Sequence, residues 1–461
     1  MTETFDAIVV GAGQAGPALA GRLTAAGQSV ALVERDRIGG TCVNTGCTPT
    51  KAMVASAYAA QLARRASDYG VGTGAVSVDL PAVVARAQAI AAASRESNEE
   101  WLAGMEGLTL IRGHARFTGP RTLSVTERSI TAERIFLDVG GRPARPAMPG
   151  IETVETLDNA ALLTLQTLPD HLVVVGGSYI GLEFAQMFRR FGAQVTIVEM
   201  SPRLIAREDE DVSAEIRRIL EAEGIVVRTD ATCIGFAPHE AGIAVTVDCS
   251  DGAPTVVGSH VLLAVGRTPN TDDLGLDKAG VAVDARGYIT VNERLETSAD
   301  GIWALGDCNG RGAFTHTAWN DHEIVAANLL DGGDRRLSQR HTGYALYTDP
   351  PLGRIGMTVA QARATGRPLL VSTRPMSRVA RAREKGETNG LMKVVADAET
   401  RRILGAAILG TGGDEAIHGL LDAANLGASI DDLRWAVPIH PTVSELIPTL
   451  LIDLTPDQEP A

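Results

Sequence analysis

The sequence is short of basic charge and of long apolar runs. Its 461 residues carry 42 lysines and arginines against 56 aspartates and glutamates, which gives a net charge of −14. A nucleic-acid partner is therefore not expected, because phosphate backbones are bound by basic surfaces. The longest apolar stretches are broken by glycine or charge well short of the ~18 residues that a membrane span needs, so no membrane association is expected.

Cysteine is also scarce, with five residues in the chain. The first residues do not resemble a secretory signal, so we expect a cytoplasmic protein, in which structural disulfides are rare. Cys42 and Cys47 nevertheless lie close together, in the segment GGTCVNTGCTPTK. The pair is interpretable as a structural disulfide, a metal clip, a redox or catalytic pair, or a coincidence. No Cys or His at metal-ligand spacing lies nearby, and no metal site is predicted.

The N-terminal sequence FDAIVVGAGQAGPALAGRLTAAGQSVALVER combines an apolar strand, a glycine-rich turn, a helix of small residues and a second strand. Gly11, Gly13 and Gly16 form a G-x-G-x-x-G motif, and Glu34 ends the second strand. The glycines let backbone amides approach a pyrophosphate at a helix N-terminus, and the acid accepts hydrogen bonds from a ribose. The segment is predicted to be a dinucleotide-binding βαβ unit.

The same pattern returns in HLVVVGGSYIGLEFAQMFRRFGAQVTIVEM. Gly176 and Gly181 are the outer glycines of the motif, Ser178 stands where the middle glycine is expected, and Glu199 ends the following strand. Two complete patterns predict two bound dinucleotides. Two redox nucleotides in one chain indicate electron transfer from one to the other.

Charge at the end of the second pattern bears on which nicotinamide nucleotide binds. Glu199 suits a free ribose 2′-hydroxyl and repels a 2′-phosphate, so NADH is slightly favoured over NADPH. Arg203 and Arg207 follow closely in the sequence. They are interpretable either as ligands of the NADPH phosphate or as solvated charges.

In this order, the motifs resemble those of the FAD-dependent pyridine nucleotide–disulfide oxidoreductases, which include dihydrolipoamide dehydrogenase, glutathione reductase and mercuric reductase. The segments GGTCVNTGCTPTK, YTDPPLGRIGMT and HPTVSELIPTLL look closer to mercuric-reductase-like members than to glutathione reductase. The resemblance implies an α/β fold with two Rossmann-like domains, for FAD and NAD(P)H, and a C-terminal α+β interface domain that forms a homodimer. The implied domains are residues 1–147 with 268–335 for FAD, 148–267 for NAD(P)H, and 336–461 for the interface.

The resemblance also implies a path for the electrons. Hydride passes from NAD(P)H to FAD, and the flavin then reduces a Cys42–Cys47 disulfide. By similarity, Cys47 contacts the flavin and Cys42 attacks the disulfide of the substrate. His440 in VPIHPTVSELIP would exchange the proton, and Glu445 would orient its imidazole.

Further site residues follow from the same resemblance. Lys51 would lie beside the flavin and pair with Glu183, and Asp307 in TSADGIWALGDC would bond the ribityl chain of FAD. Tyr179 is expected to gate the nicotinamide pocket, with a packing aromatic as the alternative. The remaining predicted cofactor contacts are Thr41, Ala115, Gly141 and Gly266.

The substrate is left open by the sequence. Mercuric reductases carry a further cysteine pair near the C-terminus, whereas no cysteine follows Cys308 in this chain. Three hypotheses remain: reduction of a small or lipoyl disulfide, reduction of a metal ion or quinone by the same flavin–dithiol pair, and redox sensing without catalysis. The complete set of hydride-transfer residues argues against the sensor. The basic run Arg374–Lys385 is interpretable as an attractor of an anionic disulfide or as a solvated loop.

Overall fold

The computed structural model describes residues 1–248 and 253–457. Cys249, one of the five cysteines, lies outside the described residues. The chain forms two compact units. The first comprises Met1–Ala52, Val84–Ala144 and Gly266–Arg340, and the second comprises Met53–Val83, Arg145–Val265 and His341–Ala461. No helix in the described part of the chain has the length and apolar character of a membrane span.

The first unit is built on a seven-stranded sheet. In spatial order, its parallel part runs Leu108–Arg112, Val30–Glu34, Thr2–Val10, Arg128–Leu137 and Ile302–Ala304. The strands Thr122–Val125 and Ala115–Phe117 extend the sheet antiparallel from Arg128–Leu137. Residues 7–10 and 30–33 are buried, as parallel strands covered on both faces require. The parallel order brings the carboxyl ends of Thr2–Val10 and Val30–Glu34 side by side.

Helices and a short ribbon complete the first unit. The ribbon pairs Gly141–Pro143 with Arg267–Pro269. The helices are Gly16–Ala25, Gly40–Thr45, Cys47–Arg64, Leu80–Ala103, Leu276–Ala279 and Thr315–Leu330, and a 3₁₀ turn spans Gly306–Asn309. The later residues of Cys47–Arg64 and the first of Leu80–Ala103 belong to the second unit.

The second unit contains a four-stranded parallel sheet in the order Val226–Arg228, Gln194–Val198, His171–Val175 and His260–Leu263. A three-stranded antiparallel sheet follows the chain order Gly235–His239, Gly242–Thr246 and Thr255–Gly258. The larger helices beside the parallel sheet are Tyr179–Phe191 and Glu210–Ala222, and Asn159–Leu162 is a single turn. Alternate residues of the strands His171–Val175 and His260–Leu263 lie in one buried cluster with the three-stranded sheet, namely Val173, Val175, Val261 and Leu263.

The C-terminal part of the second unit is a six-stranded antiparallel sheet. Its spatial order is Gly343–Leu346, Leu352–Gly356, Ile403–Leu409, Leu391–Asp397, Leu369–Pro375 and Thr455–Pro456. The helices of this part are Val359–Arg363, Ala380–Glu384, Gly413–Ala416, His418–Asn425, Ile430–Leu433 and Ile447–Ile452. The predicted α/β fold, with two Rossmann-like sheets and a C-terminal α+β part, is confirmed. The exact domain boundaries remain a prediction.

Candidate redox active site

The first glycine loop is shaped by close backbone contacts. Gly11 has φ of +106°, and a Cβ there would lie 2.1 Å from the carbonyl oxygen of Asp138. A Cβ at Gly16 would lie 2.1 Å from the carbonyl oxygen of Gly11. Only glycine fits at either position. The loop therefore leads tightly from the strand Thr2–Val10 into the helix Gly16–Ala25, and a helix N-terminus reached in this way is a typical phosphate-binding position.

Two carboxylates brace this loop. Glu34 accepts hydrogen bonds from the backbone N of Ala12 at 2.7 Å and of Asp36 at 2.8 Å. Asp138 accepts one from the backbone N of Gly16 at 2.8 Å, and burial raises its pKa well above the ordinary range. Sequence reasoning missed Asp138, because an acid that closes an apolar strand has no local motif to mark it.

Several predicted FAD contacts meet beside this loop. Asp307 lies on the turn Gly306–Asn309, with its carboxylate 3.4 Å from Nε of Arg267. Burial raises the pKa of Asp307, and Arg267 opposes that shift. Arg267 also donates to the carbonyl of Gly141 and, at 3.4 Å, to Oγ1 of Thr41. The first glycine loop, with Glu34 beside it and the polar side chains of Asp307, Arg267 and Thr41, suits the binding of a dinucleotide such as FAD.

Two further predicted contacts lie in the same unit. Gly266 has φ of +116° and space around its Cα, and it precedes the ribbon strand Arg267–Pro269. Ala115 is buried in the strand Ala115–Phe117. Their roles in holding a cofactor remain predictions.

The second glycine loop repeats the geometry of the first. Gly176 has φ of +113°, with a hypothetical Cβ 2.4 Å from the carbonyl oxygen of Ala264, and one at Gly181 would lie 2.0 Å from the carbonyl oxygen of Gly176. Ser178 precedes the helix Tyr179–Phe191 without capping it through its side chain. The equivalence of the two loops supports a second dinucleotide here.

The acid of the second loop also occupies the same place as that of the first. Glu199 accepts hydrogen bonds from the backbone N of Gly177 at 2.5 Å and of Ser201 at 2.7 Å. Arg203 is held by Glu210 at 2.8 Å and donates to the carbonyl of Ala206 at 3.1 Å.

The two cysteines are brought together by a break between two helices. Gly40–Thr45 ends before Gly46, and Cys47 begins the next helix. A Cβ at Gly46 would lie 2.8 Å from the carbonyl oxygen of Thr41 and 3.3 Å from Cα of Cys42. Glycine therefore allows the chain to turn closely enough for the two thiols to meet, where a continuous helix would keep them apart. Both cysteines are free thiols in the structure, and the disulfide form remains a prediction.

The thiol pair is electrostatically asymmetric. The hydrogen bond with Cys42 lowers the pKa of Cys47 to about 6, and Thr315 and Lys51 reinforce this shift against the effect of burial. The same bond with Cys47, together with burial, raises the pKa of Cys42. At neutral pH the pair is therefore a Cys47 thiolate that accepts a hydrogen bond from a Cys42 thiol.

Thr315 is a site residue that sequence reasoning missed. Its Oγ1 lies 3.4 Å from Sγ of Cys47, and it begins the helix Thr315–Leu330. The positive end of a helix dipole stabilises a nearby anion, so this helix start favours the thiolate. Cys47 and Thr315 are 268 positions apart, which explains why no local pattern indicated the contact.

His440 and Glu445 form the predicted pair. Nδ1 of His440 lies 2.7 Å from Oε2 of Glu445. The imidazole is 75% exposed and the carboxylate 10% exposed, so a fixed acid orients an accessible ring. The pair lies in the second unit and the cysteines in the first. Their joint action remains a prediction.

Lys51 and Glu183 also lie in different units, and their ion pair remains a prediction. Lys51 is on the helix Cys47–Arg64, one turn after Cys47, whose pKa it helps to lower. Glu183 is buried on the helix Tyr179–Phe191 and accepts a hydrogen bond from the backbone N of Tyr347 at 2.9 Å.

Comparison with known proteins identifies the class to which these features belong. Residues 5–321 match the family described as pyridine nucleotide-disulphide oxidoreductase, and residues 342–451 match its dimerisation domain. The chain belongs to this family, and it is an oxidoreductase whose family uses FAD and NAD(P)H.

Individual relatives align over almost their full length. The dihydrolipoyl dehydrogenase of Thermus scotoductus is 34% identical, with 96% of each chain covered. The mercuric reductase of Streptomyces lividans is 33% identical, with 96% of this chain and 94% of the relative covered. A solved structure of the flavoprotein disulfide reductase RclA from Escherichia coli, in complex with Cu(II), has a TM-score of 0.89 at 35% identity and covers 98% of this chain and 99% of its own.

Proposed function

We propose that the protein reduces a small disulfide with electrons from NADH, by dithiol–disulfide exchange at Cys42 and Cys47. The asymmetry of the thiol pair carries this proposal. One sulfur is held as a thiolate by a helix start and a lysine, and the other is held as a thiol. Such a division assigns Cys47 to the flavin side and Cys42 to the substrate side.

The exchange is balanced in two attacks. A base removes the Cys42 proton, and the thiolate attacks one substrate sulfur, which breaks the substrate disulfide and forms a mixed disulfide with Cys42. The leaving thiolate takes up a proton. The Cys47 thiolate then attacks Sγ of Cys42, which breaks the mixed disulfide and forms the Cys42–Cys47 disulfide, and the second substrate half leaves as a thiolate that takes a proton from the solvent. The first glycine loop, with Gly11, Gly13 and Gly16, would hold FAD, which would supply the two-electron transfer from NADH that reduces this disulfide again.

His440 is the proposed base and acid for this exchange. Because the pKa of Cys42 is raised by its bond to Cys47 and by burial, Cys42 does not ionise unaided at neutral pH. An exposed imidazole oriented by Glu445 can take the proton and return it to the leaving thiolate.

We infer that the working form is a homodimer. The matched dimerisation domain supports this, as does the surface that precedes His440. Trp435, Val437 and Ile439 are 76%, 96% and 79% exposed. Exposed large apolar side chains in so short a stretch mark an interaction surface, and a second copy of this chain is its proposed occupant.

NADH is expected to be preferred over NADPH. The Glu199 carboxylate lies where the ribose of the second dinucleotide is expected, and a 2′-phosphate there would meet like charge. We expect kcat/KM for NADH to exceed that for NADPH by about tenfold or more. Steady-state kinetics with both nucleotides measure the ratio.

A pair of variants tests the cause of this preference. Glu199→Gln is expected to lower the ratio of kcat/KM for NADH to that for NADPH, because it removes the charge that repels the 2′-phosphate. Glu210→Gln leaves Glu199 intact and releases Arg203, so it is expected to raise kcat/KM for NADPH and to leave that for NADH unchanged. Equal use of both nucleotides by the unaltered protein would contradict the assignment to Glu199.

Metal-ion reduction is the second candidate function. A mercuric reductase and a Cu(II)-complexed disulfide reductase are similar to this chain over nearly their whole lengths. A thiol–thiolate pair is also a soft ligand set that suits such ions. The same electron path would then end on a metal ion bound at Cys42 and Cys47 as substrate.

One anaerobic experiment separates the candidates. The purified flavoprotein is reduced with one equivalent of NADH and then offered lipoamide, glutathione disulfide, mercuric ion and cupric ion in turn. Reoxidation by a disulfide supports the first candidate, and reoxidation by a metal ion alone supports the second. A flavin that neither NADH nor NADPH reduces would contradict both.

A further inference from the structure

The side chain of Tyr179 is held by a second tyrosine. Tyr179 lies within the second glycine motif, between Ser178 and Gly181, and begins the helix Tyr179–Phe191. The ring of Tyr344, from the strand Gly343–Leu346, meets it edge to face, with centroids 5.4 Å apart and an interplanar angle of 83°. The contact thus joins the nucleotide loop to the C-terminal sheet within the second unit.

Tyr344 is anchored in turn by a buried ionic cluster. Its hydroxyl donates to the carboxylate of Glu208. The other carboxylate oxygen of Glu208 lies 3.1 Å from Nε of Arg354, and both side chains are almost fully enclosed, at 0% and 1% exposure. Arg354 also donates to Asp209 at 2.7 Å. A fully buried acid of this kind is a fixed acceptor, because its charge is neutralised in place.

The direction of the hydrogen bonds follows from the chemistry of the phenol. Tyr344 has a single hydroxyl proton, which goes to Glu208, so its oxygen is left to accept from Tyr179. Burial, the charge of Glu208 and the hydrogen bond to Glu208 all raise the pKa of Tyr344, as expected for a phenol that donates its proton to a carboxylate. The result is a relay of hydrogen bonds from Tyr179 to Tyr344 and from Tyr344 to Glu208, and Glu208 is in turn paired with Arg354.

The backbone holds the same acid against the glycine loop. Ile205 donates its backbone N to the carbonyl of Gly177 at 2.8 Å and accepts from the backbone N of Glu208 at 2.8 Å. Its φ is +40°, which is rare for a β-branched residue. Such a conformation persists only where the surroundings determine it. The segment that carries Glu208 is therefore fixed relative to the glycine loop that contains Tyr179.

The family resemblance implies that Tyr179 gates the nicotinamide pocket. We propose that Tyr344 is a positioning residue that latches this gate through its contact with Tyr179, so that a dinucleotide bound at the second glycine loop has to displace Tyr179 from Tyr344. The inference rests on the proposed binding of NADH at the second glycine loop. The latch lowers the fraction of protein with an open site, and the apparent affinity falls by that fraction. The anchor residues act on the nucleotide only through Tyr179.

The test is the affinity of the intact flavoprotein for NAD⁺, measured by isothermal titration calorimetry. Removing one hydroxyl from the relay frees Tyr179, so Tyr344→Phe is expected to bind NAD⁺ about 2–10-fold more tightly. Tyr179→Phe is expected to do the same, and it leaves the Tyr344–Glu208 bond intact. The double variant is expected to equal either single one, because both remove the same interaction.

A matched control is available in the same unit. Tyr58 also donates its hydroxyl to a buried acid, Glu387, at 2.9 Å. Tyr58→Phe is expected to leave the NAD⁺ affinity unchanged. Melting temperatures of all variants separate lost stability from a changed site.

The outcomes distinguish a latch that controls nucleotide binding from a tyrosine contact that only stabilises the fold. Unchanged or weaker NAD⁺ binding in Tyr179→Phe and Tyr344→Phe, or additive effects in the double variant, would overturn the latch. If NADH reduces the flavin of the unaltered protein and the variants bind NAD⁺ with unchanged affinity, the latch is wrong but the proposed function stands. If neither nicotinamide nucleotide binds or reduces the flavin, the proposed function fails.

Discussion

The Cys42→Ser variant is expected to lose disulfide reduction by about a thousandfold or more, while NADH still reduces its flavin. Serine cannot form the mixed disulfide, whereas the Cys47 thiolate and the first glycine loop are untouched. Anaerobic reduction by NADH measures the first half of the reaction, and release of thiols from a disulfide measures the second. Cys233→Ser, which removes an exposed thiol from the second unit, is the matched control.

The pH dependence of the same site gives a second readout. Because the pKa of Cys47 is lowered to about 6, its thiolate is present above that pH and is lost as the pH falls through it. The long-wavelength charge-transfer absorbance of the two-electron-reduced flavoprotein is expected to follow this curve. Its midpoint is expected to stay low in Cys42→Ser, where a hydroxyl still donates, and to rise in Cys42→Ala. A midpoint that does not change in Cys42→Ala would contradict the role of the Cys42 hydrogen bond in lowering the pKa of Cys47.

The His440→Ala variant is expected to lower the rate of disulfide reduction by about 10²–10⁴-fold at neutral pH. The reason lies in Cys42, whose raised pKa keeps it protonated without a base. Glu445→Gln is expected to have a smaller effect, because the imidazole remains but loses a charged partner 2.7 Å away. The rate of flavin reduction by NADH should not change in either variant.

The control for this prediction is another exposed histidine of the C-terminal part, His418. His418→Ala is expected to retain the parent rate. A His440→Ala protein that reduces disulfides at the parent rate would remove the proton-transfer role. Loss of flavin reduction by NADH in that variant would instead indicate damage to the fold, which its melting temperature would reveal.

The features that could be predicted from the sequence are those formed by residues close together in the chain. Both glycine loops, the acids Glu34 and Glu199, and the thiol pair lie in short segments whose spacing sets their geometry. Their strands and helices are found where the apolar pattern indicated. The break at Gly46 that unites the thiols is likewise local, because it depends on a missing Cβ between two neighbouring turns.

What could not be predicted comes from contacts across the chain. Asp138 reaches Gly16 over 122 positions, and Thr315 reaches Cys47 over 268. The basic run from Arg374 to Lys385 was equally ambiguous, and its end is tied by Lys385, which donates to Thr411 at 2.6 Å. A pattern read along the chain has no access to such pairs, because tertiary packing alone brings them together.

The buried cluster around Arg354 restricts how this protein can be recombined with its relatives. Glu208 comes with the nucleotide-binding segment, whereas Tyr344 and Arg354 come with the C-terminal sheet. A chimera that replaces one of these segments with a sequence lacking the matching side chain would leave a charge enclosed without its partner, at a cost of about 3–5 kcal/mol. Such an exchange therefore has to replace both segments together or keep the residues of the cluster.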